Sequence, residues 1–197
     1  MADSIIQMLK GSIFMSEKQV ILLGDSIRMG YEPLVRKKLE GRATVTGPNE
    51  NGRWAGYTLN SLRFWLPQLP KNPDIIHWNN GLWDLGDDYN LGRPFSLPEE
   101  YKSALERIII VLRKIYPGAQ IIMATTTPTA NPDTSGIIAY NNIIKTVAAE
   151  HNLPVDDLYP IVAADIPRYI CPDRIHLTDE GWEAVATQVV RCIENYL

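Results

Sequence analysis

Val20-Ile21-Leu22-Leu23 is an unbroken apolar run that stops at Gly24, the pattern of a strand buried on both faces. Apolar positions then return at helical spacing, with Leu34, Val35 and Leu39 on one face of a predicted helix from about Ile27 and Gly41 as its stop. Ala43 to Thr46 predicts a short strand. A polar, glycine-rich stretch at 47–56 leads into a second helix over about Tyr57–Leu66. DIIHWN (74–79) predicts a third strand, and a long loop then runs to Ser96-Leu97-Pro98-Glu99, a sequence of capping-box type. Leu105, Ile108, Ile109, Leu112 and Ile115 make the apolar face of the next helix, which Pro117-Gly118 ends. Gln120–Thr125 predicts a fourth strand, Ile137–His151 a helix, and Leu153–Val155 a fifth short strand. A final helix runs from Thr178 as N-cap to the C-terminus. It buries Trp182, Val185, Ala186, Val189, Val190 and Ile193. Strands and helices in alternation predict right-handed βαβ units: an α/β fold with a parallel sheet covered on both faces. Ligands of such sheets bind at the carboxyl ends of the strands, so chemistry is expected in the loops that follow them.

A length of 197 residues fits one domain with a large core. Residues 1–18 read as an N-terminal extension, since Met15 is a second possible start, and residues 19–197 read as a single domain. Net charge −4 argues against a nucleic-acid binder, which carries a basic stripe. No apolar stretch approaches the roughly 18 residues of a membrane span, and the start lacks the features of a signal peptide. Two cysteines, Cys171 and Cys192, are too few for a disulfide framework. The expectation is a cytoplasmic domain with no membrane or nucleic-acid partner. Its oligomeric state is left open.

The first strand ends in Gly24-Asp25-Ser26 directly before a helix. There a hydroxyl meets unpaired backbone N–H groups and the positive end of the helix dipole, which would stabilise a developing anion. The alternative is that Asp25 or Ser26 simply caps the helix. In Asp173-Arg174-Ile175-His176 a carboxylate precedes an imidazole by three residues. It can fix the ring tautomer and leave the other nitrogen free to take a proton from a serine. His77 lies inside a predicted strand and reads as core; His151 ends a helix. No pair of histidines has metal-ligand spacing, so neither a metal nor any other cofactor is expected. The G-x-S-x-G elbow, the dinucleotide fingerprint and the P-loop are absent.

GDSI (24–27) and DRIHLTDEG (173–181) together resemble the first and last blocks of the SGNH, or GDSL-type, hydrolases, and the resemblance covers residues 19–197. It implies a three-layer α/β/α, flavodoxin-like fold with a central parallel five-stranded sheet, and metal-free hydrolysis of a small-molecule ester. It also implies roles for Ser26 as nucleophile, His176 as general base and Asp173 as the group orienting His176. The family's second block supplies a glycine N–H to the oxyanion, matched here by Gly52 or alternatively by Gly56. Its third block is normally G-x-N-D, whereas this chain reads Gly81-Leu82-Trp83-Asp84. Loss of one oxyanion donor costs on the order of 3 kcal/mol in the barrier. The indole N–H of Trp83 would replace it, or the amide of Asn79 or Asn80; Trp83 could equally be a packing residue.

Trp54 and Trp83 fall in loops expected to border Ser26 and suggest a small polar ester such as an acetylated sugar, while Trp65, Trp78 and Trp182 read as core. Arg28 and Arg53 sit near the same mouth, as anion contacts or as solvated residues. Two other readings remain. One is a catalytically impaired protein of the same fold that binds a ligand or carbohydrate. The other is a flavin or phosphate binder using the helix N-terminus after Gly24.

Overall fold

The apolar run that opens the domain becomes an inner strand of the sheet. In the computed structural model, which describes residues 17–87 and 90–197, β1 spans Lys18–Leu23 and is flanked by β2 (Ala43–Thr46) and β3 (Ile75–Asn79). With β4 (Gln120–Ala124) and β5 (Val155–Asp156), these strands form a five-stranded sheet in the order β2-β1-β3-β4-β5. Every pairing is parallel, with Val20 beside Val45 on one side and beside Ile75 on the other. The expected extension, residues 1–18, lies outside the described residues up to residue 16, and Lys18 already belongs to β1.

Consecutive side chains of β1 serve opposite layers, as strand geometry requires. Val20 and Leu22 pack under α1 (Ser26–Lys38) and the last helix, whereas Ile21 and Leu23 pack under α2 (Ala55–Trp65), α4 (Pro98–Ile115) and α5 (Ser135–Glu150). Both faces are apolar, which is why β1 reads as a continuous hydrophobic run. The last helix, α8 (Asp179–Glu194), lies against α1. That approach is close because position 30 is glycine: a Cβ there would stand 2.4 Å from the ring of Trp182. Trp65 and Trp78 are buried, as their pattern predicts.

Three short helices escape the periodicity: α3 (Leu82–Leu85), α6 (Tyr159–Ala163) and α7 (Ile166–Tyr169). Segments of four or five residues are too short to show a helical repeat. The α4 cap is displaced by one residue from its expected place. Leu97 is the N-cap, and its N–H donates to the Glu100 carboxylate at 2.8 Å. Ser96, the expected cap, instead donates its hydroxyl to Asp84 at 2.8 Å.

Candidate active site

Asp25 and Ser26 divide the two roles that the sequence left open between them. Asp25 is the N-cap of α1, its Oδ1 accepting the Ile27 N–H at 2.9 Å. Ser26, the first helical residue, therefore keeps its hydroxyl for another partner. That partner is His176, whose Nε2 lies 3.0 Å from Ser26 Oγ across 150 residues of sequence.

The loop carrying His176 is built around Asp173. One oxygen, Oδ1, accepts the backbone N–H groups of Ile175 at 3.0 Å and His176 at 2.9 Å, closing a tight turn. The other, Oδ2, lies 2.7 Å from His176 Nδ1. The two backbone N–H groups, with the imidazole beside them, hold the Asp173 carboxyl down at about 2. An ionised Asp173 accepts from Nδ1–H, so Nε2 presents its lone pair to Ser26. The turn is tied at both ends. Cys171 N–H donates to the His176 carbonyl at 2.7 Å, and Ala130 N–H donates to the Arg174 carbonyl at 2.9 Å. Thus Ser26, His176 and Asp173 form one continuous hydrogen-bonded line, open to solvent at the His176–Asp173 end. A neutral imidazole so held can take a proton from the hydroxyl as that hydroxyl attacks an electrophile.

The second loop reaches the same place by a different bond from the one expected. Gly52 N–H donates to the Gly24 carbonyl at 2.8 Å, and the Gly52 carbonyl accepts from Thr58 Oγ1 at 2.8 Å. Gly52 pins the loop to the end of β1, and its N–H is already spent there rather than free for an oxyanion. Arg28 secures the same loop. It is buried instead of lying at the mouth, donating to Glu32 at 2.7 Å, to the Pro48 carbonyl at 3.0 Å and to the Glu50 carbonyl at 2.6 Å. Arg53 is exposed, with its guanidinium 4.7 Å from the Tyr57 ring centroid.

Of the three candidates for the missing amide, two are engaged. Asn79 Nδ2 donates to Asp25 Oδ1 at 3.1 Å, and Asn80 Nδ2 donates to the Arg53 carbonyl at 2.7 Å. Trp83 is 39% exposed in α3, at the carboxyl end of β3. Its neighbour Asp84 is buried, and both its oxygens accept the Ala55 N–H at the start of α2, at 3.2 and 3.0 Å. Burial pushes the Asp84 carboxyl up to about 6, against the opposing hydrogen bonds from Ser96 and Ala55. Trp54 packs on Phe95 (centroids 4.8 Å apart) and Tyr57 (5.3 Å), walling a cavity of about 980 Å³ between α2 and α4. No group of three or more His, Cys, Asp or Glu side chains able to hold a metal occurs among the described residues.

The sequence signals missed the clamp made by Arg28. An arginine four residues before Glu32 on one helix face is a signal for their pairing, but its reach to the 48–50 carbonyls is a tertiary contact.

A hydroxyl, imidazole and carboxylate aligned at the carboxyl edge of a doubly wound parallel sheet form an arrangement suited to acyl transfer. The chain belongs to the GDSL-like lipase/acylhydrolase family, whose model matches residues 22–184. No curated protein matches the sequence. Among solved structures, the chain is similar to the acetyl xylan esterase AlAXEase, with 23% identity and a TM-score of 0.71 over 89% of this chain and 99% of that one. It also resembles a GDSL-like lipase from Bacteroides thetaiotaomicron VPI-5482, with 18% identity and a TM-score of 0.72 over 100% and 97% of the two chains. A third neighbour is Axe2, an acetylxylan esterase from Geobacillus stearothermophilus, with 16% identity and a TM-score of 0.67 over 88% and 93%. At these identities the likeness is one of fold.

Proposed function

We propose that this protein is a serine esterase that removes a small acyl group, acetyl above all, from a small-molecule ester of carbohydrate type. The observation that carries the reading is the unbroken line from Ser26 through His176 to Asp173, at 3.0 and 2.7 Å. His176 takes the Ser26 proton while Ser26 Oγ bonds to the ester carbonyl carbon. The tetrahedral intermediate collapses as His176 returns that proton to the departing alkoxide. Water then attacks the acyl-enzyme with His176 again as base, releasing the acid and restoring Ser26. The Ser26 N–H at the start of α1 faces the developing oxyanion, and the Trp83 indole N–H serves as a second donor.

The small-acyl preference is supported by the exposure of the His176–Asp173 end of the site. The cavity of about 980 Å³ between α2 and α4 is lined by neither Ser26 nor His176. The carbohydrate reading draws on the aromatic shelf of Trp54 and Phe95 beside the Gly52 loop, and on the two structural neighbours named as acetyl xylan esterases.

A fluorophosphonate probe tests the nucleophile. It is expected to label the wild-type chain and to leave Ser26→Ala unlabelled; equal labelling of both would refute the proposal. Hydrolysis of p-nitrophenyl esters should fall steeply from acetate to octanoate.

A further inference from the structure

Five polar side chains cross the interior of the sheet in a position that packing alone would fill with apolar residues. Asp156, the last residue of β5, accepts from Gln188 of α8 at 2.7 Å and lies 2.9 Å from His77 Nε2. His77, in the middle of β3, has its Nδ1 3.4 Å from the Tyr31 hydroxyl of α1. That hydroxyl is also 3.5 Å from Asn79 Oδ1, and Asn79 Nδ2 donates to Asp25 Oδ1 at 3.1 Å. Asp156, His77, Tyr31, Asn79 and Asp25 are all buried, none more than 1% exposed. Burying polar groups is unfavourable unless each finds a partner. Here they find one another, apart from Asp25 Oδ2, which has no hydrogen-bond partner, in a string that runs from β5 to the residue before Ser26.

The string ends against the backbone that carries the hydroxyl. Asn79 occupies the space a side chain at position 24 would need: a Cβ on Gly24 would stand 2.0 Å from Asn79 Oδ1. Its amide nitrogen shares Asp25 Oδ1 with the Ile27 N–H. Asn79 thus touches both residues that precede Ser26 and fixes the carboxylate that caps α1. The Tyr31 hydroxyl reaches both Asn79 and His77 only at long hydrogen-bond distances, so it is the weakest link. Burial raises the Tyr31 hydroxyl well above its ordinary value, so it keeps the proton it donates.

We infer that Asn79, Tyr31, His77 and Asp156 are positioning residues for the esterase reaction. They hold Asp25 on the start of α1 and thereby set the Ser26 hydroxyl at hydrogen-bond distance from His176. None of the four touches the substrate. The inference rests on the esterase reading above, and its test separates the two.

Tyr31→Phe removes one hydroxyl and keeps the ring in place; Asn79→Leu removes the contact with Asp25. Each full-length variant is assayed with p-nitrophenyl acetate, by the rate of fluorophosphonate labelling and by thermal denaturation. Tyr31→Phe is expected to lower kcat and the labelling rate about 5- to 10-fold, with KM unchanged. Asn79→Leu should lower both further, while Asn79→Gln, which keeps an amide, recovers part of the loss. Wild-type kcat and labelling rate in Tyr31→Phe, whatever the change in melting temperature, would overturn the inference, and this variant decides the matter if Asn79→Leu does not fold. Failure of the wild-type chain itself to be labelled at Ser26 would instead remove the esterase reading.

Discussion

Replacing Asp84 by asparagine should make the protein more stable, and only at neutral pH. Asp84 is a buried carboxyl whose ordinary value of 3.8 is raised to about 6. Between about pH 4 and pH 6 the folded chain holds a proton that the unfolded chain has released. Stability from this group is therefore greatest below pH 4, declines as pH rises through that window, and levels off above about pH 7. A shift from 3.8 to about 6 corresponds to about 3 kcal/mol. Asp84→Asn is neutral at every pH. Its oxygen still accepts the Ala55 N–H, and its amide nitrogen can donate to Ser96, since a hydroxyl accepts as well as donates. Near pH 4 the two proteins should match. Near pH 7.5 the variant should be more stable by about 3 kcal/mol, or about 6–12 °C in melting temperature for a domain of this size. Urea denaturation of both proteins from pH 4 to pH 7.5 measures the difference and cancels the other titrating groups. A difference that is flat across that range, or a variant that loses ground as pH rises, would refute the reasoning.

Arg28→Ala should destabilise the chain by about 3 kcal/mol or more, because it leaves Glu32 partly unpaired and frees the carbonyls of Pro48 and Glu50; a change under 1 kcal/mol in chemical denaturation would contradict the clamp. Trp83→Phe keeps an aromatic ring and deletes the indole N–H. If that N–H stabilises the oxyanion, kcat for p-nitrophenyl acetate falls about 100-fold while folding is preserved; an unchanged kcat would assign Trp83 to packing or substrate contact.

The sheet and the Asp173–His176 pair were legible because each depends on local pattern, whereas the joining of Ser26 to that pair was implied by the resemblance of the two terminal blocks. Val20–Leu23 is apolar on both faces, and Asp173 and His176 lie within one turn of each other, so neighbouring residues alone carry the signal. The second and third blocks were less legible, because a backbone N–H has no side chain to mark how it is used. Nothing in ENGRW shows that the Gly52 N–H is spent on Gly24, a residue 28 positions earlier. Arg28 illustrates the same limit, since an arginine beside a predicted mouth reads as solvated until the carbonyls at 48 and 50 fold over it. His77 was rightly placed in the core, yet the string it joins links β5, α1 and β3 and has no sequence signature.

The separation of 150 positions between Ser26 and His176 also bears on how activity appears in time. At a synthesis rate of 5–20 residues per second, roughly 8–30 s separate the two side chains during translation. Their meeting is among the most non-local contacts in the chain, and contacts of that kind form late. Regain of esterase activity on refolding would therefore report the docking of the loop before α8 onto a finished sheet. A nascent chain that has made only the first four strands carries the Ser26 hydroxyl without its imidazole partner.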